Sequence, residues 1–433
     1  MTTPAPPGNP FAPETLSDPW AFYAQAHKIA PAFALPGTPI AYVTGYDAIV
    51  DAVGRVEEFS NAFGSDLAGA RSQDPEVTAI LETGWPAINT MLTADPPVHT
   101  RYRKLVNLAF SMKKVEALED RVRAIAVELI DAMLAKAARH ADGQGDAVDF
   151  VADFAIPLPV AVIASEIGMQ GSTDVLTVKR WSDAFADRLG QMIPRERELE
   201  CAREVVEFQR HSKMLIDQRR ANPTGDLLCD LVHASIDGEK PLDDAEIMSV
   251  LQQLMVAGNE TTTSTLAGGL LTLIQNPEAM ARVQADPSLI PNMVEEMLRL
   301  ETPTSGMWRV VKRDTEIAGV PVKAGTMLML RYAAANRDPS RFENPDAFQP
   351  DRKNARTHLA FGRGIHMCVG NMLSRKELAV AFEELLARLD NVALAPAAQL
   401  VWKPNMLLRG LSNLPITFSP REGAPRTRVD EAA

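Results

Sequence analysis

Apolar residues recur at helical spacing over most of this chain and alternate at strand spacing over much less of it. The period-3.6 pattern predicts helices over 19–29, 47–53, 99–109, 114–138, 160–167, 177–190, 195–220, 243–275, 288–301 and 371–389. Pro291 falls in the first turn of its helix, where a missing N–H costs nothing. Strand patterns appear at 33–43, with the turn signal Pro36-Gly37, and at 307–318, 327–332 and 392–418. Residues 60–97 carry Gly, Ser, Asp and Pro without a period and are expected to be irregular. The fold class expected is mainly α with a smaller β-rich region.

The longest predicted helix opens on Asp243 and Glu246, spaced as a capping box, and stops at Asn276-Pro277. At 1.5 Å per residue it spans about 50 Å, enough to cross a whole domain. Its middle, Ala257-Gly258-Asn259-Glu260-Thr261-Thr262-Thr263-Ser264-Thr265, is a poor helix sequence. Glycine and consecutive β-branched residues are weak formers, and a buried Glu or Thr needs a partner. Where a sequence contradicts its own element, a functional site is expected.

Composition narrows the picture. The 433 residues are 46% hydrophobic and 23% charged, an ordinary globular balance, and no Gly/Ser linker divides them. We expect one domain over 19–420, with a Pro-rich tail at 1–18 and a second tail at 421–433. A net charge of −12 argues against a nucleic-acid surface. Three cysteines, Cys201, Cys229 and Cys368, fit a reducing cytoplasm rather than a disulfide scaffold. No signal peptide or membrane anchor is expected: residues 1–19 are rich in Pro and polar residues with no apolar core, and the most apolar long stretch, 150–167, is broken by Asp153, Pro157 and Pro159.

The candidate chemistry lies in the loop Phe361-Gly362-Arg363-Gly364-Ile365-His366-Met367-Cys368-Val369-Gly370. Its cysteine stands among three glycines, just before a helix N-terminus whose free N–H groups favour a thiolate. A lone thiolate is a poor zinc site and a good axial ligand for haem iron. A buried inert cysteine is the bland alternative, and the glycine spacing does not make a dinucleotide loop.

The run Phe361-x-x-Gly364-x-His366-x-Cys368-x-Gly370 resembles the haem signature of the cytochrome P-450 monooxygenases, with His366 where Arg is usual. The resemblance covers roughly residues 15–420 and implies haem b between the long helix and the cysteine-loop helix, with Cys368 ligating iron. It implies that Glu260 and Thr261 deliver protons to bound dioxygen through a locally opened helix that admits water. His99, Arg103, Arg309 and His366 would hold the propionates, and Phe361, Gly362, Gly370 and Ala257 would contact the cofactor. Glu296, Arg299 and Arg352 would form a structural network behind the loop.

The same resemblance places Trp85, Ile88, Met91, Ser305, Gly306, Leu407 and Leu408 in the substrate wall. Trp181, Phe185, Leu189 and Met192 would form a lid. Counting back by fours from Thr261 puts Ala257 and Gln253 on one face, so Gln253 is expected to bond an oxygen of the substrate. The implied activity is hydroxylation of an apolar small molecule, terpenoid- or steroid-like, with O2. Two electrons would come from NAD(P)H through a separate ferredoxin docking near Arg101, Lys104, Lys113 and Lys114. A cytoplasmic monomer is expected. Alternatives are a fatty or aromatic acid hydroxylase, a peroxide-using enzyme, which the Glu260-Thr261 pair argues against, and a non-catalytic haem-thiolate binding protein.

Overall fold

The capping box at the start of the long helix forms as its residues dictate. Asp243 Oδ1 accepts from the Glu246 amide at 3.0 Å, and Glu246 Oε2 accepts from the Asp243 amide at 2.9 Å. The helix that follows, Asp244–Gln275, is the axis of the molecule in this computed structural model, which describes residues 5–63, 72, 74–141, 147–190, 193–235, 240–403 and 405–423. Helices Pro157–Glu166, Val175–Gly190, Ile290–Glu301 and Asn371–Arg388 pack around it. On one side its C-terminal half closes a core with Phe150, Phe154, Met297 and Phe382. On the other, its N-terminal half meets Trp181, Phe185 and Phe208.

The β-rich part holds a five-stranded sheet in the order Ala32–Ala34, Ile40–Val43, Met327–Leu330, Met307–Val311, Phe59–Ser60. Ile40–Val43 pairs with Met327–Leu330 in parallel; the other neighbours are antiparallel. Along Met327–Leu330 the side chains alternate: Leu328 and Leu330 pack with Val43 and Ile49, and Met327 and Met329 with Trp308 and Leu407.

Several expectations change in detail. Residues 60–97 are not wholly irregular, because Asp74 caps a helix over Pro75–Leu81 by accepting from the amides of Glu76 and Val77. The strand pattern at 307–318 is two strands, Met307–Val311 and Thr315–Ile317, and the latter pairs with Val320–Val322. The pattern at 392–418 resolves into Leu389–Leu394 and Ile416–Pro420, paired around a bulge. The long helix runs without a break through Ala257–Thr265. Thr261 and Thr265 turn their hydroxyls back onto the carbonyls of Ala257 and Thr261, at 2.7 and 2.9 Å, so the polar run is absorbed rather than opened.

Candidate functional site

Gly362 and Gly364 both take positive φ, +65° and +74°, and so fold the cysteine loop back on itself. A side chain on Gly364 would also stand 3.1 Å from the Val53 carbonyl oxygen. The turn brings the Cys368 amide to the Phe361 carbonyl at 2.9 Å, and Asn371 Nδ2 donates to the Cys368 carbonyl at 2.8 Å. Burial pushes the Cys368 thiol up, while the Gly370 amide, Arg103 and Arg375 pull it down. A bound metal cation deprotonates such a thiol outright.

Beside this loop sits an unusual gathering of basic groups. The His99 and His366 rings lie 4.2 Å apart, and His366 Nδ1 is 3.2 Å from the Met91 carbonyl. His99 Nε2 is sealed from solvent and has no partner among the described residues. Arg309, buried, donates among the described residues only to the Trp308 carbonyl. Burial, then Arg309 and His99, push His366 down to about 3. Burial and Arg103 likewise lower His99. Four cationic or donor side chains crowded around a sealed, unpartnered nitrogen suit a dianion, and haem brings two carboxylates. The residues therefore fit the expected cofactor.

Across from the loop, the central helix presents Ala257 as an exposed position, with Gln253 and Thr261 half-buried on the same face. Gln253 Oε1 is sealed and accepts from nothing among the described residues. Glu260 turns the other way into a buried charge cluster. Lys179 Nζ lies 3.0 Å from Glu260 Oε1 and bonds Asp183, and Lys403 Nζ lies 3.6 Å from Glu260 Oε2. Burial alone would raise the Glu260 carboxyl, but the two lysines more than offset it and hold it at about 2. Burial and Glu260 instead raise Asp183. The cluster thus ties helix Val175–Gly190 to the central helix, a link that sequence spacing could not reveal. Asn259, fully buried beside it, has neither amide atom partnered among the described residues.

Behind the loop, Glu296 takes Arg299 in two bonds of 2.7 and 2.8 Å and Arg352 Nε at 2.8 Å. Arg299 spends its remaining donors on the carbonyls of Asn336, Pro345 and Ala347. The neighbouring Glu295 makes a second network that the sequence did not announce. It meets His358 Nε2 at 3.0 Å and Arg375 Nε at 2.7 Å, and Arg375 also lies over the Phe361 ring.

The remaining wall residues divide. Trp85 and Ile88 are partly buried, their amides held by Gln209 Oε1 and Ser249 Oγ at 3.0 and 2.9 Å. Met91 is buried among Tyr102, Leu105 and Leu254. Phe185 sits edge-on to Phe208, and Trp181 packs against the same ring. Leu407 is buried in one cluster with Trp308 and Met329, against which Leu189 and Leu408 pack. The Ser305 amide donates to the Leu407 carbonyl at 2.7 Å, which joins Ser305-Gly306 to that turn. The lid residue Met192 lies outside the described residues.

A family model for cytochrome P450 matches residues 34–399. The chain is 35% identical over 382 residues to a steroid C26-monooxygenase of Mycobacterium tuberculosis, covering 88% of this chain and 95% of that one. It is 34% identical over 439 residues to the cytochrome P450 monooxygenase PikC of Streptomyces venezuelae, covering 98% of each. The structure of cytochrome P450 CREJ in complex with (4-ethylphenyl) dihydrogen phosphate superposes with a TM-score of 0.87 at 31% identity, covering 96% of this chain and all of that one. Among the described residues no helix is long and apolar enough to cross a membrane. With its cysteine loop, its basic cradle and these relatives, the chain belongs to the cytochrome P450 family, haem-thiolate monooxygenases that insert one atom of O2 into a small molecule.

Proposed function

We propose that this monooxygenase hydroxylates a medium-sized, mostly hydrocarbon molecule of terpenoid or steroid type that carries at least one oxygen. The observation that carries the reading is the stripe Gln253, Ala257, Thr261 on the central helix. Ala257 is small and exposed, Gln253 and Thr261 are half-buried on the same face, and the sealed Gln253 amide oxygen finds no donor among the described residues. An unpartnered buried amide is costly, so a ligand hydroxyl that satisfies it is held in one orientation. A mycobacterial relative is a steroid C26-monooxygenase, which supports a substrate of this type.

The haem, held by Cys368 and by His99, Arg103, Arg309 and His366, supplies the oxidising chemistry when bound. The protein's part is to place the substrate and to manage protons. The Thr261 hydroxyl, 2.7 Å from the Ala257 carbonyl, can rotate to donate toward the substrate side. Glu260 stays ionised between Lys179 and Lys403, and Asp183 is the readier of the two acids to take a proton.

Electrons are assigned to a separate ferredoxin reduced by NAD(P)H, and the enzyme to a cytoplasmic monomer. Of the four basic residues expected to meet that partner, Arg101 is bonded to Glu246 and Lys114 to Asp230, whereas Lys104 and Lys113 are exposed. The docking charge is therefore carried by Lys104 and Lys113. The test is O2-dependent turnover with a surrogate ferredoxin, after a spin-state screen of terpenoids, steroids, fatty acids and aromatic acids. Hydroxylated terpenoid or steroid supports the reading. Turnover with peroxide alone, or no turnover with any ligand that shifts the spin state, overturns it.

A further inference from the structure

Among the described residues six arginines are buried, and four of them meet a carboxylate. Arg299 and Arg352 share Glu296, Arg388 pairs with Glu384, and Arg409 with Glu301. Arg309 has no acid of its own and stands in the cradle suited to the cofactor's carboxylates. The sixth is Arg331, 2% exposed, and no described carboxylate lies within ion-pair distance of it. Its Nε donates to the Tyr23 hydroxyl at 2.8 Å and its Nη1 to the Met406 carbonyl at 2.5 Å. Its Nη2 makes no hydrogen bond to a described residue, yet it is not one of the fully sealed atoms. Tyr42 also adjoins it, but burial raises that phenol, so it supplies no negative charge. A buried guanidinium without a counter-ion costs several kcal/mol. Arginine cannot lose its proton to escape that cost.

Register says where this charge faces. The Arg331 amide donates to the Val43 carbonyl at 2.8 Å, so residue 331 continues the ladder of Met327–Leu330. It has the parity of Met327 and Met329, whose face carries Trp308, Leu407, Leu408 and the lid-helix residue Leu189. Arg309 pairs with Leu328 and so belongs to the opposite face. The two arginines cannot share one anion. Gly306 makes room for the Arg331 stem, since a side chain there would meet Arg331 Cδ at 3.2 Å and the Leu330 carbonyl at 2.8 Å. Arg331 thus stands against Gly306, proposed to wall the substrate, and against Met406, which directly precedes the proposed wall residues Leu407 and Leu408.

We infer that Arg331 is a substrate anchor and that the substrate is a hydrocarbon skeleton bearing a carboxylate, which completes this unpaired guanidinium. The inference rests on the function proposed above and names the acidic group of the substrate.

The test is spin-state titration with 5β-cholanic acid and its methyl ester, and with dodecanoic acid and dodecan-1-ol, on the haem-loaded full chain. The wild type should bind each acid at least about tenfold more tightly than its neutral mate, a difference of about 1.4 kcal/mol. Arg331→Met should abolish that preference and leave ester affinity unchanged, while Tyr23→Phe, which removes a brace but no charge, should keep it. Should Arg331→Met not fold, the wild type alone decides by thermal stabilisation, since acid and not ester should raise Tm. Equal affinity for acid and ester in the wild type, or equal loss of both in Arg331→Met, would overturn the anchor and leave Arg331 as a structural brace. Absence of thiolate-ligated haem would instead sink the enzyme reading itself.

Discussion

Lys179 on helix Val175–Gly190 reaches Glu260 in the middle of the central helix, nitrogen to oxygen 3.0 Å, and both side chains are buried. The pair makes the Glu260 carboxylate of one helix depend on the seating of another. Removing one partner of a buried pair strands the other, which typically costs about 3–5 kcal/mol. Lys403, at 3.6 Å, softens that loss. Lys179→Met should therefore destabilise the protein by about 2–4 kcal/mol. Adding Glu260→Gln should cost little more, a coupling of roughly 1–3 kcal/mol in a double-mutant cycle. Additive losses in denaturant melts would show that the two do not interact.

Thr261→Ala removes a hydroxyl bonded only to its own helix. Fold, haem loading and substrate affinity should survive. Turnover should uncouple, with NAD(P)H consumed and hydrogen peroxide released at the expense of product severalfold. Thr261→Ser should restore most of the coupling. A fully coupled Thr261→Ala would remove this residue from proton delivery.

Gln253→Leu tests substrate orientation. Losing one neutral hydrogen bond is worth on the order of 1 kcal/mol, several-fold in affinity. The variant should bind substrate more weakly in spin-state titrations and give a mixture of hydroxylated positions. An unchanged affinity and product pattern would show that the sealed Gln253 oxygen faces no ligand.

Glu295 predicts a pH dependence. Burial raises its carboxyl, but His358 and Arg375 more than offset this and hold it at about 2. A carboxyl lower in the folded than in the unfolded state stabilises the fold above the unfolded pKa and loses that contribution as pH falls through the folded value. The window runs from about pH 5 down to about pH 2, and the amount is on the order of 3 kcal/mol. Glu295→Gln should be less stable at pH 7 and show a shallower decline between pH 6 and 3 in thermal melts. Parallel declines would contradict the assignment.

The sequence disclosed what local rules determine. Asp243 and Glu246 announce a helix start because both halves of the box lie within one turn. Glu296 and Arg299 can be paired on paper because they share a helix face. Cys368 and its glycines declare themselves because a turn, a helix N-terminus and a lone thiolate coincide. Lys179, Asp183 and Arg331 were silent because their partners come from distant elements: Lys179 is 81 residues from Glu260, and Arg331 is 308 from Tyr23. Glu295 was overshadowed by its neighbour, since adjacent acids on one helix look alike until their partners are placed. The helix Pro75–Leu81 was hidden in a stretch whose Gly and Pro signalled only irregularity.

The central claim is that Cys368 is the axial ligand, and the carbon-monoxide difference spectrum of the dithionite-reduced protein tests it most directly. The wild type should give the red-shifted Soret band of thiolate ligation. Cys368→Ser should lose it, and Cys201→Ser and Cys229→Ser, whose residues are buried elsewhere, should keep it. A band that survives in Cys368→Ser, or disappears in either of the other two, would contradict the account.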